Sequence, residues 1–239
     1  MKRLGSRLLD IIYPPSCHFC EEPLELGRYL CTACRQDLKE ITAPFCSICS
    51  EAFEGAIDAE FSCPNCHDLH FQFDFARSAL ARTTSSHQLV IDFKYNKQRH
   101  LAPILASYCA RVILQTPEIS SLTSPVILPV PLHWTKRIRR GFNQSEEIAI
   151  HLSKETGIPC SRALRRKHHT RTQTRLTRSQ RMANLKNAFA GGRLPTKFQT
   201  AILLDDVFTT GSTANACAQI LRKNSPHLKK IIVVTALRG

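Results

Sequence analysis

The sequence predicts an α/β domain, a central and mostly parallel sheet flanked by helices, preceded by a small metal-folded module. Three observations predict it. Short apolar β-type runs at residues 124–131, 201–204 and 230–237 alternate with helical patterns, as in a parallel sheet covered on both faces. Two of those runs end in glycine-containing loops that open helices. Four Cys-x-x-Cys pairs crowd into residues 17–66, which hold few large apolar side chains of their own.

With 239 residues and 43% hydrophobic content, the chain is long enough for one main domain with a sizeable core plus a small module, and too apolar for disorder. Neither a repeat nor a low-complexity tract is present. We divide it into residues 1–15, a short amphipathic helix; 16–70, the cysteine module; and 71–239, the α/β body. Leu4, Leu8, Ile11 and Ile12 give the first segment helical spacing, whereas Asp10 and Pro14-Pro15 make it too short for a membrane span. It also lacks a small-residue cleavage site, so the reading is a cytoplasmic protein without membrane insertion. Eleven cysteines in that compartment argue against a disulfide framework.

Charge is divided unevenly along the chain. The cysteine module has three basic against ten acidic residues; the body has 27 against eight. A polyanion is therefore drawn to the body, within a Debye length of about 8 Å at physiological salt.

Cys17/Cys20, Cys31/Cys34, Cys46/Cys49 and Cys63/Cys66 are the candidate metal ligands. A two-residue gap lets both thiolates of a knuckle reach one ion, and two knuckles complete a tetrahedral Cys₄ zinc site. Eight thiolates serve two zinc ions, in tandem or interleaved; spacing allows both. All-thiolate sites are closed to substrate, so the zinc is read as structural. His18, His67 and His70 are read as surface or supporting residues, and the isolated Cys109, Cys160 and Cys217 as core thiols.

In the body, residues 75–82 alternate as a strand, and 89–95 and 101–114 are read as helices. The cationic stretch between them, residues 94–100, reads equally as a hinge near a substrate or as a solvated helix end. The run at 124–131 reads as a buried strand leading into a cationic loop at 132–143, then a helix at 144–155 capped by Asn143. In that loop Arg140, with the backbone of Gly141, Phe142 and Asn143, can hold a multiply charged anion, because guanidinium donates two parallel hydrogen bonds to phosphate oxygens. Residues 162–181 hold eight Arg or Lys and no acid. Such a run does not pack as a core strand, and Arg165, Arg166, Lys167, Arg171 and Arg175 are read as a mobile basic loop. It suits a lid over a bound anion or a track for nucleic acid.

The richest stretch is 201–213. Its apolar run ends in Asp205 and Asp206, which can accept hydrogen bonds from a sugar's vicinal hydroxyls or hold Mg²⁺ through water. Thr209, Thr210, Gly211, Ser212 and Thr213 follow, opening a helix at 213–224. They offer backbone N–H groups, hydroxyls and the positive end of a helix dipole to a phosphate, with Gly211 permitting close approach. Diol and phosphate recognition side by side suit a phosphorylated ribose.

This last pattern resembles the ribose-phosphate signature of type I phosphoribosyltransferases, which use 5-phosphoribosyl 1-pyrophosphate (PRPP). The chain as a whole resembles the ComF family, related to the GntX-like proteins, in which a double zinc ribbon precedes a type I phosphoribosyltransferase domain. The matching residues are Tyr13-Pro14-Pro15, the four cysteine pairs, Phe93-Lys94-Tyr95, Val130-Pro131-Leu132-His133, Arg140 to Gln144, the set Gln173, Leu176, Arg181, Asn184 and Phe189, and the signature at 202–213. Asn96-Lys97 stands where relatives often have glycine, so no ligand contact is assigned there.

The resemblance implies a phosphoribosyltransferase-type protein that binds PRPP with Mg²⁺ and acts in natural competence, in the handling of incoming single-stranded DNA. Asp205 and Asp206 take the ribose hydroxyls, 209–213 the 5-phosphate, and Arg140 to Asn143 the pyrophosphate. It leaves open whether the chain is a pentosyltransferase in fact. The alternative is a non-catalytic binding protein for single-stranded DNA with a vestigial or regulatory PRPP pocket. A third reading is a zinc-folded adaptor for a protein of the competence machinery. The acceptor and the oligomeric state are not readable from the sequence.

Overall fold

The structure, a computed structural model, describes residues 15–25, 28–53, 55, 61–67, 69–167, 185 and 188–239. The helix expected at 1–15 lies outside them except for Pro15, as do Arg171 and Arg175.

The four cysteine pairs group in tandem. Cys17, Cys20, Cys31 and Cys34 form one cluster and Cys46, Cys49, Cys63 and Cys66 the other, the ligand atoms of each lying within 4.8 Å of one another. Short-range chemistry builds them. Cys31 caps helix α1 (Thr32–Gln36), its Sγ accepting from the Cys34 amide. Amides of Cys31 and Cys63 donate to the sulfurs of Cys17 and Cys46, at 3.4 and 3.3 Å.

Strand β1 (Phe75–Leu80) opens the body, two residues shorter than the alternation suggested. Helix α2 (Thr84–Tyr95) begins five residues before the expected start because Thr83 and Ser86 form a reciprocal capping box. A 3₁₀ turn at Arg99–Leu101 leads into α3 (Ala102–Gln115) and the short α4 (Pro117–Ser120). Strand β2 (Pro125–Pro129) follows. The segment expected as a loop then folds into helix α5 (Trp134–Arg140), capped by His133 and stopped by Gly141 in the left-handed conformation at φ 83°. Next come α6 (Gln144–Thr156), β3 (Leu164–Arg166), β4 (Phe189–Gly191), β5 (Thr200–Phe208), α7 (Ser212–Asn224) and β6 (Lys230–Arg238).

Strands run in the order β1-β6-β5-β2, every pair parallel. The predicted class therefore holds: an α/β fold on a parallel sheet with an N-terminal pair of cysteine clusters. Alternation along β5 divides the core. Ile202 and Leu204 join Ile127, Ile232 and Val234 in a cluster with α3 and α6, whereas Ala201 and Leu203 join Val126, Leu128 and Val233 in a cluster with α7. The first cysteine group packs into the former cluster, the second into the latter. The segment joining the two groups runs along the outer edge of β1, with Ile41, Ala81 and Ala76 amides donating across it to Ala79, Lys39 and Ile48. That edge is thereby covered.

Two other expectations also differ from the structure. Arg165 and Arg166 do not belong to a loop: they stand in β3, which pairs antiparallel with β4, because Leu164 and Phe189 bury themselves beneath the pair. Cys160 is exposed, at a backbone bridge to Ile127, while Cys109 and Cys217 are fully buried as expected.

Candidate functional site

The two anion-binding loops meet. At the C-terminal edge of β2 and β5, a cleft of about 200 Å³ is lined by Asp205, Asp206 and Thr213 from one loop region and by Arg140 and Asn143 from the other. Lys94, Lys136, Gln144, Ser145 and Arg166 line it too; of these the sequence points only to Arg166 and, through the stretch 94–100, to Lys94. A smaller hollow beside it is lined by Thr209, Thr210, Gly211, Ser212 and Thr213, sharing Asp205 and Thr213 with the main cleft.

The phosphate-type loop owes its shape to Gly211, which precedes α7 at φ 73°. A Cβ there would stand 2.8 Å from the Phe208 ring and 3.1 Å from Phe71, so both conformation and space require glycine. Thr210 and Ser212 hydroxyls lie 2.8 Å apart. The loop thus places hydroxyls and a 13-residue helix N-terminus together.

The two carboxylates have different surroundings. Asp205 Oδ1 accepts from Ser145 Oγ at 2.8 Å and from the Asp206 amide at 2.9 Å. Burial, and then the neighbouring Asp206 charge, push the Asp205 carboxyl up to about 7. Asp206 instead pairs with Lys94 Nζ at 2.8 Å, both side chains largely buried. Lys94 comes from the last turn of α2, so the cationic stretch at 94–100 does reach the site, through its first residue.

Cations crowd the opposite wall. Burial, with Arg166, Arg140, Arg139 and Lys94 nearby, holds the Lys136 amine below its ordinary value. Burial likewise lowers Arg166. Arg140 donates to Gln144 Oε1 at 2.9 Å and lies over the Tyr95 ring, with its Nη2 3.3 Å from Tyr95 Oη. Two buried donors, Arg140 Nε and Gln144 Nε2, have no hydrogen-bond partner among the described residues. A wall of crowded cations and unpartnered donors is what a multiply charged anion would complete.

Other residues of the cationic loop act differently from expectation. Asn143 precedes α6 but does not cap it with its side chain; Nδ2 donates to the Val130 carbonyl at 3.3 Å and holds the loop on the end of β2. Phe142 is buried, its ring 5.2 Å from Phe93, and anchors the loop in the core. Gly141 ends α5, and neither Gly141 nor Phe142 lines the cleft.

A second cleft of about 260 Å³ adjoins the first, sharing Pro131, Leu132, Asn143 and Arg166. Its walls include Trp134, 63% exposed, with Arg137, Arg162, Arg165 and Glu146. Lys167 continues the exposed basic surface beyond β3.

Each cysteine cluster fits one zinc ion, by donor set and proximity: four thiols within ligand distance, with backbone amides already directed at sulfur. Burial opposes ionisation of Cys17, but amides of Cys20, Cys31 and Phe19 outweigh it and hold that thiol at about 6. Burial pushes Cys49 up to about 11, despite Arg238 nearby. No described helix is long and apolar enough to cross a membrane.

Known proteins resemble this chain over most of its length. Residues 8–67 match the double zinc ribbon domain family. Competence protein F of Haemophilus influenzae is 30% identical over 212 residues, 87% of this chain and 90% of that protein. DNA utilization protein YhgH of Salmonella typhimurium is 30% identical over 214 residues, 88% and 92% of the two chains. Among solved structures, a glutamine PRPP amidotransferase from B. subtilis, complexed with ADP and GMP, overlaps 61% of this chain and 30% of its own at TM-score 0.40 and 16% identity.

Proposed function

The chain belongs to the competence protein F (ComF) family, and we propose that its body binds PRPP with Mg²⁺ in the cleft at the C-terminal edge of β2 and β5. One observation carries this reading: a single cleft is lined both by the acidic pair with Thr213 and by Arg140 with Asn143. In it the ribose 2- and 3-hydroxyls donate to Asp205 and Asp206. The 5-phosphate lies against residues 209–213 and the N-terminus of α7. Pyrophosphate takes the Arg140 and Gln144 donors and the charges of Lys136 and Arg166.

Asp205 and Asp206 are oxygen donors of the kind Mg²⁺ prefers, directly or through water, and the ion would neutralise charge on the pyrophosphate. In catalysis, the C1–pyrophosphate bond would break through an oxocarbenium-like state, its electron pair leaving on pyrophosphate while the lone pair of an acceptor nucleophile forms the new bond to C1. The cationic wall would stabilise that departing charge, and no protein nucleophile is needed. A calorimetric titration of PRPP with MgCl₂ tests the reading, beside an Asp205→Asn/Asp206→Asn variant. Saturable binding lost in the variant is expected; binding of equal strength in both overturns it.

The second cleft favours a further reading, binding of single-stranded DNA along the basic face, in keeping with the competence role of the family. Trp134 offers a stacking surface and Arg165 a phosphate contact, beside Arg137 and Arg162, which pair with Glu146 and would exchange that carboxylate for phosphate. Trp134 is the chain's single tryptophan, so its fluorescence is a direct probe. Quenching by oligodeoxythymidine, with a salt dependence flattened in Arg165→Ala/Arg166→Ala/Lys167→Ala, is expected. Fluorescence unmoved by DNA that does bind would place the track elsewhere.

A further inference from the structure

Arg238, next to the last residue, is 8% exposed and lies between the second cysteine cluster and the loop that follows β5. Its Nη1 donates to the carbonyls of Phe208 at 3.0 Å and Thr209 at 3.2 Å and to the main-chain oxygen of Gly239 at 2.6 Å. Its Nη2 reaches Cys49 Sγ at 3.8 Å and pairs with Glu51. The guanidinium also lies 5.4 Å from the Phe208 ring centroid, the ring that forbids a Cβ at position 211.

One planar cation therefore holds two consecutive peptide groups at the entrance of the phosphate-type loop and a metal-ligand sulfur at once. Its fork geometry matters. Several N–H groups diverge in a fixed plane, whereas an ammonium offers a single point of charge. A zinc ion with four thiolates would carry net negative charge; the guanidinium, shared between Glu51 and Cys49, lessens it while its N–H group orients the sulfur. Phe73 and Phe208 pack edge to face at 6.1 Å in the same apolar cluster as all four cysteines, so the contact is backed by a rigid wall.

We infer that Arg238 is a positioning residue that joins the second zinc site to the phosphate-binding loop, so that zinc occupancy there and the competent shape of residues 208–213 support one another. The ligand part of this inference rests on the PRPP reading; the coupling between zinc site and loop does not.

The test uses the full chain with Arg238→Met and Arg238→Lys. Ribose 5-phosphate and inorganic pyrophosphate are titrated separately, zinc release to a chelating dye is timed, and amide hydrogen exchange is followed across 208–213. In Arg238→Met, ribose 5-phosphate affinity falls about tenfold while pyrophosphate affinity holds within about twofold. One of the two zinc ions leaves faster, exchange quickens in the loop, and Arg238→Lys recovers part of each effect. Equal loss of both ligands, or unchanged loop exchange and zinc release, overturns the inference. A wild-type chain that binds no ribose 5-phosphate overturns the PRPP reading instead, and loop exchange with zinc release then decides the role of Arg238. Should Arg238→Met fail to fold, the same readouts on Arg238→Lys decide it.

Discussion

Lys94 Nζ lies 2.8 Å from Asp206 Oδ1 inside the candidate cleft. A cation from α2 thus occupies one of the two carboxylates proposed for ribose and Mg²⁺, while standing beside the wall proposed for pyrophosphate. It competes with the metal for Asp206 and aids the anion. Lys94→Met is therefore predicted to change the two ligands in opposite directions: Mg²⁺ binds several-fold tighter, and pyrophosphate roughly tenfold weaker, a loss of about 1.4 kcal/mol. Separate titrations of MgCl₂ and pyrophosphate check this. Losses of the same sign would mean that the ion pair serves folding alone.

Asp205 makes stability depend on pH. Its folded-state value, about 7, stands above the ordinary 3.8, so in the ligand-free protein its protonated form is favoured by folding. That contribution is fully present below the ordinary value and is lost as pH rises through about 7. Asp205→Asn keeps the shape and removes the charge. It is predicted to be more stable than wild type at about pH 8, by on the order of 2 kcal/mol, with the gap narrowing below about 7 and closing as pH falls towards the ordinary 3.8. Urea melts at a series of pH values read the difference directly. A gap that is constant with pH would contradict the assignment.

Zinc is predicted to hold more than the ribbons. The first cluster's neighbour His18 reaches Asp92 Oδ2 at 2.8 Å, and Asp92 also binds Gln88 and Asn96, so this ribbon grips the end of α2 that carries Lys94. Two zinc ions per chain are expected by metal analysis, one for each cysteine cluster. Stripping both by chelator is expected to lower the thermal midpoint by at least ~10 °C and to expose the edge of β1 to self-association. An unaltered midpoint in the stripped protein would leave zinc peripheral to the fold.

What could be read in the sequence was what lies close together along the chain. Asp205 to Thr213 carry their chemistry within nine consecutive positions, and the cysteine pairs announce their metal by spacing. Residues that arrive through tertiary structure were legible only in part. Lys136 and Ser145 sit in helices with ordinary surface-like patterns, and nothing local directs them into a cleft. Lys94 left a trace, since Phe93-Lys94-Tyr95 is among the stretches that match the family, but its partner Asp206 lies on another element. Helix α5 reads as a loop in the sequence because Lys136, Arg137, Arg139 and Arg140 look like loop cations; the signal for it is the pairing of His133 as cap with Gly141 as stop. The Asn143 side chain failed to cap because the Val130 carbonyl at the end of β2 competes for it. Tandem against interleaved cysteine pairing turned on which knuckles face each other, a matter of packing on opposite faces of the sheet.

In the proposed function, the acidic pair with its phosphate loop and the Arg140 loop form one site for one ligand. Measuring the affinity of PRPP beside those of ribose 5-phosphate and pyrophosphate, at fixed Mg²⁺ and moderate salt, tests it most directly. Each half is expected to bind and to compete with PRPP, and PRPP to bind at least ~100-fold tighter than either, because joining the halves makes the second contact intramolecular. PRPP binding no tighter than pyrophosphate, with ribose 5-phosphate failing to compete, would contradict it and leave a basic surface that captures anions.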